Sequence, residues 1–140
     1  MKLNVDVIVT ASTPGALAAK QATSTIPIVM AAVGDPVAAG IVASLARPSG
    51  NLTGLTFFFA EICAKRVELI KEAIPTLTRV AVLVNPANPS HLVALPVMQD
   101  MASALGVELV SADAKGSDDI AAAITTLAAR RAQGLVAIDD

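Results

Sequence analysis

Apolar residues in this chain gather in short runs separated by longer stretches of helical spacing. The runs lie at 6–10, 26–31, 52–56, 79–84, 107–111 and 134–138 and are rich in Val, Ile and Leu. Runs of that length without polar alternation predict strands buried on both faces. Five helices are expected between them. The first opens at Pro14, with Thr13 as its N-cap, and runs to about Thr23. The second covers 37–46, with Asp35 as N-cap and Pro36 at the first helical position, and stops at 47–51, where Arg47, Pro48 and Gly50 stand. The third covers 61–74 and sets Ile62, Val67, Leu69, Ile70 and Ala73 against wet Lys65, Arg66, Glu68, Lys71 and Glu72. Glu61 and Lys65 are a favourable pair on it, four residues apart. The fourth covers 91–105, kinked or begun at Pro96 and stopped by Gly106. The fifth covers 118–131, capped by Ser117, its early Asp118 and Asp119 and late Arg130 and Arg131 complementing the helix dipole. Six strands alternating with five helices predict an α/β fold of parallel sheets with right-handed crossovers.

Two long motifs carry a family resemblance. GDPVAAGIVASLARPSGNLTGLT occupies 34–56, and KRVELIKEAIPTLTRVAVLVNP occupies 65–86. In that order they closely resemble the ABC transporter substrate-binding proteins of the type that includes binders of aromatic amino acids. The resemblance runs along essentially the whole chain. It implies a type I periplasmic-binding-protein fold, in which two α/β lobes enclose a solute. Family members are considerably longer, so the chain resembles a central slice. Residues 1–57 would form the second half of lobe one (βαβαβ). Residues 58–140 would form the crossover and the first half of lobe two (αβαβαβ).

Composition narrows the functional classes. The chain has 140 residues, 54% of them hydrophobic and 2% aromatic, which suits a buried parallel sheet under Ala-rich helices. A net charge of −2 without basic clusters argues against nucleic acid. The single cysteine, Cys63, allows neither an internal disulfide nor a cysteine-based metal site, and is expected as a small buried hydrophobe on a helix. Residues 1–4 run straight into the first strand, so no signal peptide is expected, and no run approaches the roughly 18 apolar residues of a membrane span. The family itself is exported, to the periplasm or to a membrane-anchored extracytoplasmic position.

Ligands of open α/β sheets sit beyond the carboxyl ends of the strands. Those ends carry small polar groups here, and two lead straight into helix N-termini. Such a terminus offers unpaired N–H donors and positive dipole to a carboxylate. Ser12 and Thr13 add hydroxyl donors beside Gly15, and Asp35 could accept from an ammonium group. Asn85 follows the strand at 79–84. Phe57, Phe58 and Phe59 are all the aromatics of the chain. If extended, they alternate in direction, so Phe58 could line the cleft while its neighbours pack. The candidate ligand-binding residues are therefore Ser12, Thr13, Gly15, Asp35, Phe58 and Asn85. Capping alone would also explain Ser12, Thr13 and Asp35, and ordinary packing would explain the phenylalanines.

No catalytic set is apparent. The one histidine, His91, stands at a helix start and reads as solvated or capping. The carboxylate pairs 118–119 and 139–140 are explained by the dipole and by a chain end. No Walker A or GxGxxG loop occurs. The resemblance implies solute capture by hinge closure for an ABC importer, without cofactor or metal, the full-length protein serving a permease. A stand-alone doubly wound domain acting as an oligomeric or regulatory module is the alternative. Half-lobes would leave strand edges and apolar faces uncovered, so a homodimer of this chain is also expected.

Overall fold

The computed structural model describes residues 4–48 and 50–139. Part of the loop 47–51, the first three residues and Asp140 of the terminal carboxylate pair lie outside the described residues. The chain forms two compact units, Met1–Phe58 and Phe59–Asp140.

The first unit is a parallel three-stranded sheet in the order β1-β2-β3. Its elements are β1 (Ile8–Thr10), α1 (Thr13–Ala22), β2 (Ile28–Val33) and β3 (Leu52–Thr56). Ile8 pairs with Ile28, and Ile28 with Leu52. Gly54 of β3 lies so close to β2 that a Cβ there would stand 2.1 Å from the Met30 carbonyl oxygen. With φ at 144°, that position admits only glycine. Ala16, Ile28, Met30, Val33, Ile41, Val42 and Leu52 form the core.

The helix expected at 37–46 is absent. Its start signal is real, since Asp35 Oδ1 accepts from the Val37 and Ala38 amides at 3.0 and 2.9 Å. One turn later Gly40 takes φ 68°. The Gly40 amide then donates to the Val37 carbonyl and the Ile41 amide to the Pro36 carbonyl. That pair of bonds is a Schellman closure, and it ends the turn at once. Ile41 and Val42 follow directly and drop into the core, doing what a helix face would otherwise do. The crossover from β2 to β3 is therefore irregular.

The second unit contains α2 (Phe59–Ala73), β4 (Arg79–Val84), α3 (Pro89–Ala104), β5 (Glu108–Asp113), α4 (Ser117–Ala129) and β6 (Gly134–Ala137). Its sheet is again parallel, in the order β5-β4-β6. Central β4 is buried on both faces: Ala81 packs with Val110 and Leu127, and Val80, Val82 and Val84 are also enclosed. Helices α2 and α3 pack on each other, while α4 packs on β4 and β5. Gln133 Oε1 accepts from the Thr78 and Arg79 amides at 2.7 and 3.1 Å, tying the start of β6 to that of β4.

Local details depart from expectation. The described residues hold four helices rather than five. The cap of α1 is Ser12, whose Oγ accepts from the Gly15 amide at 3.2 Å, and Thr13 is already inside the helix. The N-cap of α4 is Gly116 without a side-chain cap, so Ser117 does not fill that role. Lys65 pairs with Glu68 at 2.8 Å, one turn on, instead of with Glu61. Helix α3 begins at Pro89 under an Asn88 cap and runs through Pro96. Phe59 opens α2, so the three phenylalanines are not one extended segment. Cys63 is fully buried on α2, as a small hydrophobe should be.

Candidate functional site

In the first unit the polar candidates gather where β1 and β2 end. Thr10, at the end of β1, and Ser12 both crowd the position a Gly15 Cβ would take, at 2.5 and 3.3 Å from their hydroxyl oxygens. A side chain at Gly15 would have to displace the Thr10 hydroxyl, because two hydroxyls converge on the first turn of α1. Thr10 escaped the sequence reading; a threonine closing an apolar run two residues before a helix cap was its only signal. Thr13 is buried, and its Oγ1 accepts from the Gly34 amide at 3.3 Å. That bond joins the start of α1 to the residue before Asp35. The first turn of α1 carries no acidic side chain, whereas that of α4 carries Asp118 and Asp119. A carboxylate brought to α1 would meet the positive end of its dipole with no acidic side chain opposing it. Asp35 acts as a cap on the following turn. Phe58, at the end of this unit, is 77% exposed.

In the second unit, Asn85 follows β4 beside a hollow of about 330 Å³. Leu83, Val84 and Ala137 line it from the strands, Ile138 from just after β6, and Gly116, Ser117 and Ile120 from the cap and first turn of α4. A mostly apolar hollow with few polar groups at the carboxyl end of a parallel sheet is the usual form of a small-molecule site. Asn85 Oδ1 accepts from the Ala87 amide at 2.9 Å, which bends the loop back on itself. His91 is buried, contrary to the solvated reading, and forms part of the wall. Its Nδ1 accepts from the Asn85 amide at 2.9 Å, and its Nε2 lies 2.9 Å from the Asp139 carbonyl oxygen. The ring stacks on Phe59, with centroids 6.0 Å apart. A larger groove, about 620 Å³, runs beside α4 between Lys115 and Arg130 and opens broadly to solvent. Among the described residues no group of three His, Cys, Asp or Glu side chains could hold a metal. No helix among them is long and apolar enough to cross a membrane.

The structure thus brings Ser12, Thr13, Gly15 and Asp35 together in one unit and puts Asn85 in the other. Two parallel sheets flanked by helices, with small polar groups at the strand ends, define a periplasmic-binding-protein-like α/β architecture. A family profile described as ABC transporter substrate binding protein matches residues 1–140, and the chain belongs to that family. A curated relative, the tyrosine-binding protein of Clostridioides difficile (strain R20291), is 35% identical over 122 residues, covering 87% of this chain and 35% of the relative. A conserved domain protein from Vibrio cholerae O1 biovar El Tor is 37% identical with a TM-score of 0.82, over 94% of this chain and 44% of that one. An ABC domain in complex with L-Trp from Streptococcus pneumonia is 25% identical with a TM-score of 0.86, over 98% of this chain and 47% of that one. The chain therefore spans between about a third and about half of the length of these relatives.

Proposed function

We propose that this chain is the part of an ABC importer's solute receptor that supplies the strand-end contacts to a small amino acid, aromatic ones included. The observation that carries the reading is the fit of 98% of the chain to a relative solved with L-Trp, at a TM-score of 0.86. The local chemistry agrees. The first turn of α1, with Ser12, Thr13 and Gly15 and no acidic neighbour, suits the solute carboxylate. The hollow beside Asn85 suits an apolar side chain. The two units are read as halves of the two lobes, which close about a hinge when the solute is bound in the full-length protein. Asp35 and exposed Phe58 remain candidates for the solute ammonium group and ring. Function in this reading is binding, and hand-over to a membrane permease follows it.

The test is calorimetric titration of the full-length protein with L-tryptophan and L-tyrosine, wild type against Ser12→Ala and Asn85→Ala. Micromolar or tighter binding that weakens at least severalfold in both variants is expected. No binding of either amino acid removes the amino-acid reading. Unchanged affinity in both variants removes these residues from the site. The dimer expected for the isolated chain rests on a separate observation. Val7, Val9 and Leu55 stand exposed on the first unit, and sedimentation equilibrium of the 140-residue chain distinguishes self-association from a compact monomer.

A further inference from the structure

We propose that His91 is a positioning residue for the solute loop: it holds the Asn85 amide and so fixes the shape of the chain at the carboxyl end of β4. The inference rests on the reading of that loop as part of the solute site. Three observations carry it. His91 is 2% exposed, and both its ring nitrogens are engaged. Because Nδ1 accepts from the Asn85 N–H, Nε2 is the nitrogen that donates to the Asp139 carbonyl, so the partners set which ring nitrogen does which. The ring also stacks on Phe59, the first residue of α2. One side chain therefore ties together the solute loop, the first turn of α2 and the segment leaving β6.

The loop depends on that tie. The Asn88 amide donates to the Asn85 carbonyl at 3.1 Å, and Asn88 Oδ1 accepts from the Ser90 amide at 3.0 Å. Asn85 thus begins a chain of bonds that ends in the cap of α3. Freed from Nδ1, the Asn85 amide would turn to find another acceptor, because a half-buried N–H is costly to leave unmade. Turning it would re-aim the Asn85 side chain at the edge of the hollow.

Two conservative variants separate this role from mere core packing. In His91→Asn the amide oxygen stands as many bonds from Cα as Nδ1 does, so it can still accept from Asn85. In His91→Gln the amide nitrogen matches Nε2 and keeps the bond to Asp139, but the Asn85 partner is lost. Both are made in the full-length protein and checked for folding by circular dichroism. Hydrogen exchange of residues 85–90 is measured without solute, and affinity for L-tryptophan and L-tyrosine by calorimetry. Faster exchange at 85–90 in His91→Gln alone is expected, with affinity about tenfold weaker in that variant and near wild type in His91→Asn. Equal exchange at 85–90 in the two variants overturns the proposal, as do equal affinities where the wild type binds. If the wild type binds neither amino acid and the exchange still divides the variants, His91 keeps its positioning role and the amino-acid reading falls instead.

Discussion

The two units answer the same problem differently. Each must join parallel strands by crossovers that cover a sheet. The second does so with regular helices, and its central strand, β4, is enclosed on both faces. The first uses one helix and then an irregular crossover, and four of the five residues of its last strand are exposed. The difference teaches that a helix start and a helix stop are independent signals. Asp35 and Pro36 start a helix as well as any pair in the chain, yet Gly40 closes it after one turn because its left-handed φ lets the two closing bonds form. A crossover can then bury its apolar residues, Ile41 and Val42, without helical periodicity.

The sharpest way to break that contrast is Gly54→Val. In the first unit any Cβ at this position meets Met30 backbone atoms at 2.1 to 2.8 Å, and φ is in the range that disfavours side chains. Backbone cannot give way as a flexible side chain can, so a loss of roughly 4 kcal/mol or more is expected. Hydrogen exchange should report lost protection in β1, β2 and β3 with β4, β5 and β6 unaffected. Loss of protection in all six strands would mean that the units do not fold independently.

Next in size is a pair of leucines. Leu77 in the second unit is 0% exposed and Leu55 in the first is 70% exposed. Leu77→Ala should cost about 3 kcal/mol through lost burial and a cavity, whereas Leu55→Ala should change stability by less than about 0.5 kcal/mol. Urea denaturation followed by circular dichroism separates them. A large cost at Leu55 would reveal that its face is covered in solution.

Much of the fold was legible because its signals are local. The bounds of β3 and β4 follow from the apolar runs, and the parallel pairing follows from their alternation with helices. Glycine at C′ placed the end of α3 correctly. The same rule applied to Gly40 ends the second helix early, whereas the cluster of stop residues at 47–51 points to a later end. The site was less legible because its partners are distant in sequence. Thr13 looks like a cap until the Gly34 amide, 21 residues on, is seen to use its hydroxyl. His91 looks solvated until Asp139, 48 residues on, is seen to accept from its ring. Sequence spacing says what a residue can offer and not which partner the fold delivers.

Caps give the third contrast. Ser12 caps α1 through its hydroxyl, while Ser117 lies inside α4 and its hydroxyl reaches only the neighbouring Asp118. Ser12→Ala should cost about 1 kcal/mol and Ser117→Ala less than about half of that. Thermal melts of the two variants against wild type check the order, and a reversal would restore Ser117 as the cap of its helix.

The smallest effect is one of pH and belongs to the second unit alone. Cys63 is buried on α2, and desolvation pushes its thiol above the ordinary value, with Arg66 pulling it down and Asp139 pushing it up in lesser degree. The folded protein therefore keeps the Cys63 proton after the unfolded chain has begun to lose it. Between the unfolded and folded values the native state binds more protons, so stability falls as pH rises. The thiol's contribution is complete below the ordinary thiol value of 9.0 and disappears as pH climbs through the raised folded value. Cys63→Ala removes this titration while adding a packing cost that does not depend on pH. Urea midpoints of wild type and variant should thus run parallel below that value and converge above it. Alkylation gives the matching kinetic check: the native thiol should react far more slowly than the same thiol in denaturant. Midpoints that stay parallel through the alkaline range would mean that Cys63 titrates as an exposed thiol does, and that α2 is opened at that point in solution.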